Sequence, residues 1–272
     1  MSAASAATAG DDSRLQVRRE GAALVVTLNR APVNAVDDRL LVELDAAIDL
    51  AEADEGICIL HLRSAHKVFC AGADLDLMRS SIATPAGRNR MVAVVQEMQR
   101  VFARLENLPC VTLAEIGGAA LGGGFEMALA CDWRFAADEA RVGLPEAGLG
   151  LLAAAGGTQR LTQLVGVGTA RRLILGSETL TGQEARTLGL VQWSVPRAQL
   201  AEAAQALVAR CTALPRHTLA ETKRCIALAA ATRGDGFAAE IAATRRLYDH
   251  PETRRRVSAF LDKSSTPHKE KT

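Results

Sequence analysis

The stretch Gly117-Gly118-Ala119-Ala120-Leu121-Gly122-Gly123-Gly124-Phe125-Glu126-Met127-Ala128-Leu129-Ala130 joins a strand exit, a glycine cluster and an apolar helix in direct succession. It follows Cys110-Val111-Thr112-Leu113-Ala114-Glu115-Ile116, an apolar run that reads as a strand. A strand feeding a helix through a tight small-residue turn is the building unit of an α/β layer fold. Consecutive glycines let the backbone approach a ligand closely, and the N–H groups at a helix start attract negative charge. No Walker lysine follows and G-x-G-x-x-G is absent as written. The cluster therefore reads as an oxyanion site, a phosphate site or a close-packing turn.

Outward from this stretch the same alternation continues. Leu15 to Asn29 reads as a strand, broken by Ala31-Pro32-Val33-Asn34. Asp37 opens a helix with Leu40, Leu41, Leu44, Ala47, Ile48 and Ala51 at three-to-four spacing. Ile57 to Leu62 is a second strand that leaves through Val68-Phe69-Cys70-Ala71-Gly72-Ala73-Asp74-Leu75. A helix over Arg90 to Glu106 is closed by Pro109. Ala153-Ala154-Ala155-Gly156-Gly157-Thr158-Gln159-Arg160-Leu161 repeats the glycine-then-helix theme. From Leu200 the pattern turns helical only, over 201–211, 217–231 and 237–250. The reading is a flexible tail (1–13), an α/β core (14–200) and a helical C-terminal region (201–272) that ends in a polar tail.

Composition narrows the function. The 272 residues carry 32 Lys+Arg against 31 Asp+Glu, a net charge of +1, without the basic footprint of a nucleic-acid binder. Six Phe, two Trp and one Tyr leave little for base stacking. No apolar run reaches the roughly 18–20 residues of a membrane span. Cys58, Cys70, Cys110, Cys131, Cys211 and Cys225 form no CxxC pair and no zinc-like spacing with histidine, so no metal site is expected. His61, His66, His217, His250 and His268 are scattered without triad spacing. Met1 to Gly10 lacks a basic and an apolar leader region and Asp11-Asp12 follow, which points to a reducing cytoplasm.

Glu126 is the lone charge in the run Phe125 to Cys131, and Glu146 is alone in Gly143-Leu144-Pro145-Glu146-Ala147-Gly148-Leu149. A carboxylate on so apolar a segment is costly unless hydrogen-bonded, and burial shifts a carboxyl group toward the condition that suits proton transfer. Two such groups beside an oxyanion site suit proton transfer next to a carbonyl. Asp74 reads as a cap or turn residue, Arg160 as a structural partner, and Trp133 and Trp193 as packing residues.

Phe69-Cys70-Ala71-Gly72-Ala73-Asp74-Leu75, Ala120 to Glu126, Leu144-Pro145-Glu146 and Gly156 to Leu161 together resemble the enoyl-CoA hydratase/isomerase (crotonase) family in order and spacing, bacterial hydratases most of all. The likeness runs from about Leu15 to Lys263. It implies a spiral of ββα units, a helical C-terminal trimerisation region, and a homotrimer or dimer of trimers. It also implies that an acyl-CoA thioester is the substrate, with no permanently bound cofactor. The implied oxyanion hole is the backbone N–H of Ala73 and Gly123; Gly118, farther from the helix, is expected only to turn the chain. Glu126 and Glu146 match the two family glutamates, and having both favours hydration of a 2-enoyl-CoA, in fatty-acid or related acyl-CoA breakdown. The alternatives are a Δ3,Δ2-enoyl-CoA isomerase, a methylglutaconyl-type hydratase, or a non-catalytic or RNA-binding member.

The resemblance further implies substrate or CoA contacts from Val33, Ala35, Ala71, Asp74, Leu75, Gly122, Phe260 and Lys263. Four departures from the family pattern stand out. Ala153-Ala154 replaces a common Pro-Gly, Asp76 stands where many members carry Lys, the Arg30–Ala35 loop lacks a frequent lysine, and Arg254-Arg255-Arg256 replaces an acidic-glycine step.

Overall fold

A computed structural model of the chain describes residues 13–230 and 236–264. The tail assigned to 1–13 lies outside the described residues except for Ser13, as does the polar end of the C-terminal region beyond Ser264.

The single strand expected over Leu15–Asn29 is a hairpin of β1 (Leu15–Glu20) and β2 (Ala23–Leu28). Gly21, at φ +60°, reverses the chain between them, a conformation that glycine adopts without a Cβ penalty. β1 is largely exposed and β2 wholly buried, so the hairpin merges an edge strand with a core strand. Asp37 caps α1 (Asp38–Ala53) by accepting from the Leu40 N–H, and the six apolar positions read from the sequence are its buried face. β3 (Ile59–Ser64) follows, then α2 (Leu75–Ile82) and α3 (Pro85–Asn107). α3 starts a turn earlier than the apolar spacing suggests, because Thr84 caps it and Pro85 opens it.

β4 (Val111–Ile116), β5 (Ala120–Leu121) and α4 (Gly123–Leu129) come next. β6 (Trp133–Ala137), β7 (Arg141–Gly143), a 3-10 turn over Pro145–Leu149 and α5 (Gly157–Leu175) repeat that order. β8 (Thr179–Thr181), α6 (Gly182–Thr187) and β9 (Trp193–Val195) close the core. One sheet has the order β1-β2-β3-β4-β6-β9 and is parallel beyond the first pair; the other is β5-β7-β8. β4 and β6 of the large sheet are each followed by a strand of the small sheet, β5 or β7, before the chain turns helical, the ββα spiral of the crotonase fold.

α7 (Arg197–Thr212), α8 (Arg216–Ala230), α9 (Gly236–Asp249) and α10 (Pro251–Ser264) form the helical end. α10 was hidden in the sequence behind Pro251 and the arginine run. Proline is accepted at the first helical position, and Thr253, Val257 and Leu261 form its buried stripe. Trp133 and Trp193 pack edge to face with centroids 5.7 Å apart. Among the described residues no helix is long and apolar enough to cross a membrane.

Candidate active site

The glycine cluster and the Phe69–Leu75 segment meet at one place. Leu121 N–H donates to Cys70 O at 3.0 Å, so the two segments run side by side. Gly72 has φ +101° and Gly122 φ +53°, both in the region that favours glycine. These turns bring Ala73 and Gly123 together: the Ala73 nitrogen lies 3.8 Å from where a Cβ on Gly123 would stand. The neighbouring amides are engaged inside the protein, Ala71 with Val33 O, Asp74 with Val36 O and Gly122 with Gly143 O. Gly123 is the first residue of α4, where N–H groups have no acceptor within the helix.

A cavity of about 500 Å³ opens on this pair of amides. Glu126 and Glu146 both line it, one from α4 and one from the 3-10 turn. Glu126 is 3% exposed, and its Oε1 accepts the Gly157 N–H at 2.8 Å, which offsets the cost of burial. Oε1 of Glu146 lies 2.8 Å from where a Cβ on Gly122 would stand, so the second carboxyl rests against the glycine preceding the Gly123 amide. The remaining lining is mainly apolar, with Met98 of α3, Leu149 at the end of the 3-10 turn, Leu151 and Leu152 after it, and Phe260 of α10. Thr244 and Tyr248 enter from α9. Burial first, and the Glu126 charge second, push the Tyr248 phenol up to about 12. Glu126 and Glu146 are the only carboxyl groups on the described wall, which holds no Arg, Lys or His.

The Enoyl-CoA hydratase/isomerase family profile matches residues 18–271. The chain belongs to this family. It is 35% identical over 263 residues to YngF of Bacillus subtilis, which carries the same family name, covering 96% of this chain and 99% of that one. It is 39% identical over 191 residues to a short-chain-enoyl-CoA hydratase of Clostridium acetobutylicum, covering 70% of this chain and 71% of the relative. The solved enoyl-CoA hydratase of Bacillus halodurans superposes with a TM-score of 0.84 at 25% identity, over 91% of this chain and all of that one (100%). The crotonase likeness read from four short blocks therefore extends to the whole fold.

Of the residues singled out in the sequence, Ala71, Ala73, Gly122, Gly123, Glu126, Glu146 and Phe260 line the cavity together. Val33, Ala35 and Asp74 lie beside it and are not part of the wall. Val33 O accepts from Ala71 N–H, and Ala35 O accepts from Arg30. Asp74 caps α2 through the Leu77 N–H and pairs with Arg30, so its cap role is the one the geometry serves. The side chains of Leu75 and Lys263 lie outside the described residues. Arg160 is buried against Glu106 at 2.8 Å and donates to Ala155 O, holding the turn that presents Gly157. Sequence reasoning missed Met98, Leu151, Thr244 and Tyr248. They sit on helices and a loop that reach the cavity only through tertiary packing; Tyr248, the single tyrosine, carried a compositional signal alone.

Proposed function

We propose that this chain hydrates a 2-enoyl-CoA thioester to the 3-hydroxyacyl-CoA. The carrying observation is that two carboxyl groups, Glu126 and Glu146, share a mainly apolar cavity with the amides of Ala73 and Gly123. The thioester oxygen sits between these two N–H groups, which stabilise the enolate-like charge that develops as water adds. Such donors are fixed in place before the reaction, so they cost little reorganisation.

Glu126 takes the proton of the water whose oxygen bonds to C3, and Glu146 delivers a proton to C2 as the C2–C3 double bond is consumed. The Gly157 N–H fixes the Glu126 carboxylate for that role. Glu146, held against Gly122, follows the same turn that aims the Gly123 amide. A family member with only one carboxyl at this place suits isomerisation; two suit hydration. The substrate brings its own coenzyme A, so no resident cofactor takes part.

A panel of enoyl-CoA esters tests the reading. Loss of the conjugated-thioester absorbance at neutral pH, with formation of the 3-hydroxyacyl-CoA, is the expected result. Absence of hydration across short, long and branched esters would overturn it.

A further inference from the structure

The Ala73 amide owes its direction to a segment outside the cavity wall. Residues 33–36 run beside residues 71–74. Ala71 N–H donates to Val33 O at 3.0 Å, Val36 N–H to Gly72 O at 2.8 Å and Asp74 N–H to Val36 O at 3.1 Å. The Gly72–Ala73 peptide is trans, so its carbonyl and its N–H point to opposite sides. With Gly72 O turned to Val36, the Ala73 N–H points away from Val36 and toward the neighbouring Gly123 turn.

Asn34 holds residues 33–36 in this register. It is wholly buried, at 0% exposure, and stands at φ +51°, a conformation that asparagine tolerates and most side chains resist. Its Nδ2 donates to Ser64 Oγ at 2.8 Å, Phe69 O at 2.9 Å and Val68 O at 3.2 Å. Its Oδ1 accepts the Arg30 N–H at 2.8 Å, and its own N–H donates to Arg30 O at 2.7 Å. Its carbonyl accepts from the Cys70 thiol at 3.0 Å. One residue thus ties the segment to the end of β3 and to the chain that enters Ala73. Asn34 is not part of the cavity wall, so it reaches the site only through backbone.

We propose that Asn34 is a positioning residue that aims the Ala73 amide at the thioester oxygen. The inference rests on the oxyanion hole of the hydratase reading and adds the group that holds one of its donors. An oxyanion donor acts through a direction set before the reaction. Loosening residues 33–36 frees the Gly72–Ala73 peptide to turn about the torsions of Gly72, a residue without the restraint of a Cβ.

The test reads the hydrogen bond itself. Butyryl-CoA, isotope-labelled at the thioester carbonyl, is bound to the parent, to Asn34→Gly and to Asn34→Asp, and its carbonyl stretch is recorded by difference infrared spectroscopy. Asn34→Gly keeps the left-handed backbone and removes the carboxamide; Asn34→Asp keeps the shape and removes the Nδ2 donors. Leu44→Ala, a truncation of a wholly buried side chain of α1, is the comparator of lowered stability. The parent should move the stretch below that of the free ester, and both Asn34 variants should return it most of the way. With crotonyl-CoA these variants should lose kcat about tenfold or more, a part of what a whole oxyanion donor supplies, with KM little changed. Leu44→Ala should melt lower yet keep the parental stretch and kcat. The proposal is overturned if either folded Asn34 variant keeps the parental stretch or if Leu44→Ala shifts it as far. It is also overturned if neither Asn34 variant folds, which would leave Asn34 a role in the fold alone. No shift in the parent would overturn the oxyanion hole and this inference together. A parental shift lost in the variants, with no hydration by the parent, would support the positioning role and overturn the hydratase reading alone.

Discussion

The backbone N–H of Gly157 donates a 2.8 Å hydrogen bond to Oε1 of Glu126. The first turn of α5 thereby holds a carboxylate that α4 carries, and a Cβ on Gly157 would stand 2.8 Å from that same oxygen. Glutamine in place of Glu126 keeps an oxygen for this bond and loses the base. Glu126→Gln and Glu146→Gln are each expected to lower kcat at least about a hundredfold, the scale of a general acid or base, with an unchanged melting temperature. Near-parental hydration by either variant would remove that residue from the mechanism.

The glycines divide by what a side chain would meet. At Gly123 an added Cβ lies 2.6 Å from Met98 Cε, the far end of a flexible chain. Gly123→Val therefore folds, narrows the cavity beside the amide and costs on the order of 3 kcal/mol of transition-state stabilisation, the scale of one oxyanion donor. Gly118, expected to be a lenient turn residue, is not one: its Cβ would stand 1.8 Å from the Lys67 carbonyl oxygen. Gly118→Ala should lower the melting temperature. The suitable control is Gly168→Ala on α5, where nothing lies within 4 Å and activity should be untouched. Full turnover by folded Gly123→Val would return the cluster to a packing role.

Much of this site was legible because its parts are local. The Ala73 and Gly123 segments are glycine turns written in consecutive residues, and Glu126 follows the second turn within α4. The capped face of α1 was equally readable, since Asp37 and the spacing from Leu40 to Ala51 carry it without tertiary help. The wall from α9 and α10 was not. Thr244, Tyr248 and Phe260 reach the cavity because those helices fold back over α2, α3 and the 3-10 turn, a relation that periodicity does not encode. Gly21 and Pro251 misled for the opposite reason: each allows a boundary that a run of apolar or charged residues conceals.

Thiol chemistry offers a check on the core. Cys58, Cys70, Cys110, Cys131 and Cys211 are buried and Cys225 is exposed. Burial pushes Cys70, Cys131 and Cys211 up to about 12 and Cys110 to about 11, holding them as unreactive thiols. A disulfide reagent should titrate one fast thiol in the native protein, lost in Cys225→Ser, and all six in denaturant. Several fast thiols in the native state would contradict the packing of these strands and helices.

Assembly is a further expectation. α5 carries exposed Leu164, Val167 and Leu175, and apolar residues so placed suit a subunit contact. We expect a homotrimer, or two stacked trimers, by light scattering at micromolar concentration; a monomer would refute it. Truncation after Leu200 removes Ala204, Leu207, Val208 and Cys211, the buried face of α7. The shortened chain should aggregate.

Asp74 links stability to pH at the edge of the site. Burial raises the pKa of its carboxyl, but the Leu77 N–H and the Arg30 guanidinium outweigh burial and hold it below the ordinary value. A group depressed in the folded state stabilises above its unfolded pKa, and that contribution disappears as pH falls through the folded value. In Asp74→Asn the amide still caps α2, but the charge that pairs with Arg30 is gone. The parent should therefore melt above the variant by a constant margin near neutral pH. That margin should shrink as pH falls below about 4, the ordinary range of an aspartate. Asp74 also donates its N–H to Val36 O, next to the Ala73 amide, so the variant should lose some kcat in step with the lost ion pair. Melting curves of both proteins between about pH 7 and about pH 3 decide the matter. A margin that stays flat across this range would show that the Arg30 pair contributes nothing to the fold.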